Sequence, residues 1–189
     1  MNIVELGIKL DNNIDYYTSI LEKNGLRCVF NVNTHDIYYT NKDLGNLTEN
    51  EMKKACIRLR SCNNEDYKIQ NNLIKGIDIS TVSKERLKEY ENKLLKYGYK
   101  KVFATIKEDY HYCKDDMNSR VQLQQIKDIG LVVYYDNNKY YNINLKEQRK
   151  KLIDDLNSFG FNIDYDTLDL DKLRTLYYGK EMYSNNQNK

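Results

Sequence analysis

The stretch "ACIRLRS", residues 55–61, sets Ile57 and Leu59 against Arg58 and Arg60 in strict alternation. A period of two places both guanidiniums on one face of a strand, about 7 Å apart, with the aliphatics on the other. The same pattern recurs along the chain. In "VELGIKL" (4–10) Glu5, Gly7 and Lys9 oppose the apolar positions, and in "VFATIKEDY" (102–110) Thr105 and Lys107 oppose Ala104 and Ile106. In "SRVQLQQI" (119–126) Arg120, Gln122 and Gln124 oppose Val121 and Leu123, and in "LVVYYDN" (131–137) Tyr134 and Asp136 oppose Val133 and Tyr135. Five strands thus carry charge or amide on one side and aliphatics on the other.

Between the strands, three amphipathic helices are predicted. Ile14, Tyr17, Ile20 and Leu21 recur at helical spacing in 12–24 and Gly25 follows as a stop. In 84–97, Ser83 is the N-cap, Leu87, Tyr90, Leu94 and Leu95 form the stripe, and Gly98 ends it. Asn144, the stripe Leu152, Ile153, Leu156 and Phe159, and Gly160 repeat the plan over 145–159. A shift of 73 residues pairs Tyr17 with Tyr90, Leu21 with Leu94 and Gly25 with Gly98. Without a gap it goes on to pair Val29 with Val102, Phe30 with Phe103, Asp36 with Asp109 and Tyr39 with Tyr112. Helix, stop and strand repeating at one offset imply two related halves.

Composition bounds the function. The 189 residues suit one domain, expected over 1–179, and "KEMYSNNQNK" (180–189) lacks apolar periodicity and is expected to fray. With 40% hydrophobic and 31% charged residues and a net charge of +2, the chain reads as a soluble globular protein whose basic field is local. That charge, and the scatter of the lysine pairs at 53–54, 100–101 and 150–151, argue against nucleic acid as a partner. No apolar run is long enough for a membrane span or a cleavable leader, so a cytoplasmic location is expected. Cys28, Cys56, Cys62 and Cys113 lack the short paired spacings of a zinc site and are expected to be structural thiols. His35 and His111 read as locally satisfied rather than catalytic, and the Tyr-rich strands leave room for a homodimer.

The alternation alone leaves two architectures open. In an open sheet the charged face meets solvent. In a closed barrel the apolar face turns outward beneath helices and the charged face lines a tunnel, where arginine forks would match phosphate oxygens.

With these residues aligned, the chain resembles the CYTH superfamily, the triphosphate tunnel enzymes that include class IV adenylate cyclases and thiamine triphosphatases. The family's opening Glu-x-Glu-x-Lys is similar to Glu5-Leu6-Gly7-Ile8-Lys9, its x-Asp-x-Tyr-Tyr to "THDIYYT" (34–40), and its Leu-Arg-Ile-Arg to "CIRLR" (56–60). The hairpin lysine resembles Lys68 in "DYKIQ", the Lys-x-Arg strand is matched at Lys107, and the tail parallels "TLDLDKLRTLYYG" (167–179). The resemblance implies an α+β fold: a closed antiparallel eight-stranded barrel with flanking helices and two pseudo-repeated halves, its tunnel holding a triphosphate-bearing small molecule. It implies that Lys9, Arg58, Arg60, Lys68, Lys107 and Arg120 grip the phosphates, that Glu5 and Asp136 hold Mg2+ or Mn2+, and that Glu5 and Lys9 take part in catalysis. The activity implied is metal-dependent hydrolysis of a nucleoside, thiamine or inorganic triphosphate, or cyclisation of ATP; the alternative is a protein that binds the triphosphate without turnover. Four positions depart from the pattern. The second opening glutamate is Gly7, the Leu-Asp-x-Val aspartate is Gln124, the late Glu-x-Glu reads Tyr134-Tyr135-Asp136, and the Lys-x-Arg arginine is Asp109.

Overall fold

A computed structural model describes residues 5–45, 47–63, 66–71, 78–114, 119–167 and 169–170. The elements run β1 (Leu6–Lys9), α1 (Ile14–Lys23), β2 (Arg27–Thr40), α2 (Glu49–Ala55), β3 (Ile57–Cys62), β4 (Asp66–Asn71), β5 (Asp78–Val82), α3 (Lys84–Lys96), β6 (Lys100–Cys113), β7 (Ser119–Ile126), β8 (Gly130–Asn137) and α4 (Leu145–Phe159). The eight strands form one sheet in the order β1-β8-β7-β6-β2-β3-β4-β5. The pairs β1·β8, β7·β8, β2·β3, β3·β4 and β4·β5 are antiparallel. No helix among the described residues is long and apolar enough to cross a membrane.

The three predicted helices form where their caps place them. Asn13, Ser83 and Asn144 each accept a hydrogen bond from the backbone N–H three residues on, and Gly160 closes α4 in the left-handed region. The fourth helix, α2, was not expected, because seven residues are too few for a periodic stripe to show. Its sequence signal is the capping box: the Thr48 side chain accepts from the Glu51 N–H, and the Thr48 N–H donates to the Glu51 carboxylate at 2.8 Å.

The chain divides into two compact units interleaved in sequence. Among the described residues, one takes 5–31, 108–126 and 130–170, and the other takes 32–107 and 127–129. In the first unit, Leu6, Ile8, Val121, Leu123, Val133 and Tyr135 alternate out of β1, β7 and β8 and pack against Leu21 of α1 and Leu152, Ile153 and Leu156 of α4. Each such side chain stabilises the unit by about 1.5–3 kcal/mol on full burial. Asp155 of α4 fixes the contact, accepting from the hydroxyls of Tyr135 and Tyr140 and from the Asn137 amide. In the second unit Ile57, Leu59, Ile69 and Tyr39 lie under Leu94 of α3. Tyr38 stacks on Phe103 with centroids 4.3 Å apart, against Met52 and Ala55 of α2. α1, α3 and α4 therefore take the aliphatic strand face, as the alternation predicted, whereas α2 packs on Tyr38 and Phe103, which share their strand faces with Asp36 and Lys107.

The 73-residue repeat is visible in detail. β2 and β6 are each 14 residues long and stand 73 apart at both ends. Gly25 and Gly98 leave their helices with φ of 76° and 80°, values that a side chain would strain. Asp36 and Asp109 are both buried, as are Tyr39 and Tyr112. The Tyr39 hydroxyl donates to Glu91 of α3, whereas that of Tyr112 bonds Thr18 of α1 at 2.9 Å. Glu91 and Thr18 are themselves 73 residues apart. Each unit thus packs the helix of one repeat on the strand of the other.

Cys56, Cys62 and Cys113 are buried and Cys28 is exposed; burial pushes the Cys56 thiol up to about 11, which keeps it protonated and inert.

Candidate functional site around Asp36

The second unit gathers four of the six residues expected to grip phosphate. The register sets Asp36 opposite Arg60, Tyr38 opposite Arg58, and Arg60 opposite Lys68, so β2, β3 and β4 present these side chains on one face. Lys107 reaches the same place from β6. Arg60 donates to both Asp36 oxygens, Nε to Oδ1 at 2.6 Å and Nη2 to Oδ2 at 2.7 Å. Lys107 Nζ lies 3.3 Å and Arg58 Nη1 3.8 Å from Asp36 Oδ2. Three cations surround one carboxylate, an excess of two positive charges before Lys68 is counted.

Burial gives the cluster its strength. The side chains of Asp36 and Lys107 are 0% and 1% exposed, while those of Arg58 and Arg60 keep 22%, so the guanidiniums remain open to a ligand. Burial alone would raise the Asp36 pKa. The hydrogen bonds from Arg60, then the charges of Lys107 and Arg58, outweigh it and hold the carboxyl well below the usual carboxylate range. Burial, with the charge of Asp36 next, pushes the neighbouring Tyr38 phenol up to about 12, so it stays neutral.

The face opposite this cluster corrects a bland expectation. Thr105 and Lys107 are buried while Ile106, which opposes them, is 50% exposed. On β6 it is the polar side that is enclosed.

The other expected site residues lie in the first unit. Lys9 is half-buried on β1 and Glu5 is exposed just before it. Arg120, with 65% of its side chain exposed, donates to Asp136 at 2.8 Å, and the Tyr141 hydroxyl donates to the same carboxylate at 3.1 Å. Arg120 is thus engaged by a carboxylate on the neighbouring strand. His111 sits beside Gln122, their Nε2 atoms 3.3 Å apart, and packs on Phe30, while His35 is exposed.

Sequence reasoning missed Asp36 as a site residue. Its signal was present in "THDIYYT", read there as a motif and as one half of the repeat, not as a brace for cations.

Gly7 and Tyr134 are direct partners across β1 and β8. A Cβ built on Gly7 would lie 2.8 Å from Tyr134 Cε1 and 3.1 Å from Cδ1, so the tyrosine ring fills the space that any side chain at position 7 would enter. Gly7 also accepts a 2.7 Å hydrogen bond from the Leu170 N–H. Gly7→Ala is accordingly expected to cost about 1–3 kcal/mol by overpacking. Chemical denaturation checks this, and equal loss in a Tyr134→Ser background would show that the ring is not the obstacle.

No protein-family model and no curated protein matches the sequence. Solved structures do match the fold. The PH1012 protein of Pyrococcus horikoshii superposes with a TM-score of 0.60 at 17% identity, over 87% of this chain and 94% of that one. A candidate adenylate cyclase from Vibrio parahaemolyticus has a TM-score of 0.54 at 15% identity, over 82% and 87%; one from Bacillus halodurans has 0.54 at 9%, over 93% and 98%. The chain has the CYTH fold.

The resemblance to the CYTH superfamily implies a divalent metal, Mg2+ or Mn2+, and the described residues do not gather a ligand set for one. Among the described residues no group of three or more His, Cys, Asp or Glu is placed to hold an ion. The tyrosine ring excludes a carboxylate at position 7. Gln124 is buried with its side-chain oxygen lacking a hydrogen-bond partner among the described residues, and Asp136 faces a guanidinium and a phenol. Most of the parallel tail, 171–179, lies outside the described residues, as does the 180–189 segment.

Proposed function

We propose that this chain is a cytoplasmic protein that binds a triphosphate-bearing small molecule through Arg58, Arg60, Lys68 and Lys107. The observation that carries the reading is the braced cluster at Asp36: cations in excess, buried at the root and open at the guanidiniums. Guanidinium forks match phosphate oxygens bidentately. Because Asp36 already orders Arg60 and Lys107, little side-chain entropy is left to lose on binding. In this reading the eight strands close on themselves and the polar faces line the tunnel. The enclosure of Thr34, Asp36, Thr105 and Lys107 beside an exposed Ile106 supports it.

A second reading, turnover of the bound triphosphate by hydrolysis or by cyclisation of ATP, is favoured by the two structural neighbours described as candidate adenylate cyclases. One experiment serves both. Calorimetric titration with orthophosphate, pyrophosphate, tripolyphosphate and ATP, with released phosphate and pyrophosphate assayed in the same samples, is expected to show affinity rising with phosphate number and falling with salt. Equal, weak binding of all four would sink the reading, and release of product would add turnover to it.

A further inference from the structure

We propose that this chain binds its triphosphate without a divalent metal ion, because Tyr134 and Gly7 have together replaced the carboxylate pair that would hold one. The inference rests on the triphosphate reading above and concerns what neutralises the anion.

The replacement is coupled. Positions 7 and 134 face each other in register on neighbouring strands, and in the pattern this chain resembles both carry glutamate. Here one is a glycine and the other a tyrosine whose ring edge stands 2.8 Å from where the Cβ at position 7 would be. The glycine does not revert alone: a glutamate at 7 collides with the ring. A chance loss of one ligand would leave a gap, whereas this pair is packed, with Tyr134 buried.

The neighbouring positions agree. Gln124, on β7, brings a neutral amide where a carboxylate is expected, and its side-chain oxygen is buried without a hydrogen-bond partner among the described residues. An amide oxygen carries no charge to compensate a dication. Of the remaining acids, Asp136 accepts from Arg120 at 2.8 Å and from Tyr141 at 3.1 Å, so an ion would have to displace a guanidinium to reach it. Glu5, exposed before β1, and Asp109, buried on β6, are the other acids on the polar strand faces of this unit, and among the described residues no three acids, histidines or cysteines are gathered to hold an ion. Magnesium gives up its waters reluctantly and needs its one or two carboxylates brought together beside the substrate phosphates. Within the second unit three cations already surround one carboxylate, an excess of positive charge that a triphosphate can meet without a dication.

The test is titration of the whole chain with tripolyphosphate in chelator and again in Mn2+, with the electron paramagnetic resonance signal of Mn2+ followed against protein alone. The dissociation constant is expected to differ by less than about threefold between the two buffers, and the free-ion signal to stay undiminished. Loss of affinity by about tenfold or more in chelator, or quenching of the Mn2+ signal by the protein alone, would overturn metal independence while leaving the triphosphate reading intact. Absence of binding in both buffers would remove that reading and this inference with it.

Discussion

Replacing Asp36 by alanine is expected to destabilise the protein by about 3–5 kcal/mol, the usual loss when one partner of a buried ion pair is deleted. For a chain of this size that lowers Tm by roughly 6–20 °C. The cause is what remains: Lys107, 1% exposed, is left in an enclosed site without its counter-ion, and Arg60 loses both hydrogen bonds of its fork. Removing the charges together should undo most of the damage. Asp36→Leu with Lys107→Met is expected to recover the larger part of the loss, because apolar pairs of similar volume substitute well for buried ions. Acid should expose the same interaction. The Asp36 pKa is lower folded than unfolded, so its contribution is complete above the unfolded value of about 4 and is lost as pH falls below it. Asp36→Asn is expected to flatten that acid limb in denaturation curves measured from neutral pH downward. A variant as stable as the wild type at neutral pH, with the acid limb unchanged, would show that the cluster does not brace the fold.

The strands and their faces were legible because alternation is local. Arg58 and Arg60 could be set on one face from "CIRLR" alone, and the caps Ser83 and Asn144 could be read locally too, whereas the cap Asn13 came only with the structure. Short α2 escaped a reading that relied on periodicity and passed over its capping box. The site was less legible, because its chemistry lies in partners far apart in sequence. Asp36 and Arg60 are 24 residues apart and meet only through the β2·β3 register. A sequence shows an acid and several bases; it does not show that the acid orders the bases. The pairing of Asp136 with Arg120 is another case, turning an expected metal ligand and an expected phosphate ligand toward each other. Gly7 could be noted as a departure, but its reason, the ring of Tyr134, belongs to a strand 127 residues later.

The double substitution Arg58→Ala with Lys68→Ala is expected to weaken tripolyphosphate binding by about 10²- to 10⁴-fold, from two charged hydrogen-bonding groups at about 1.5–3 kcal/mol each. These two are the informative choice. Arg58 is the most distant of the three cations from Asp36, at 3.8 Å, and Lys68 is half-buried and reaches the cluster through its register with Arg60. Deleting them should therefore change affinity far more than stability, the reverse of Asp36→Ala. The measurement is paired: titration with tripolyphosphate and thermal denaturation without it. Affinity should fall while Tm moves by no more than a few degrees, since surface-reaching charges contribute little to folding. Affinity within about threefold of the wild type would mean that the basic face is simply solvated, and that Asp36 braces its cations for the sake of the fold. A fall in both quantities together would place Arg58 with Arg60 and Lys107 as a brace. The phosphate contacts would then have to be sought on the first unit, at Lys9 and Arg120.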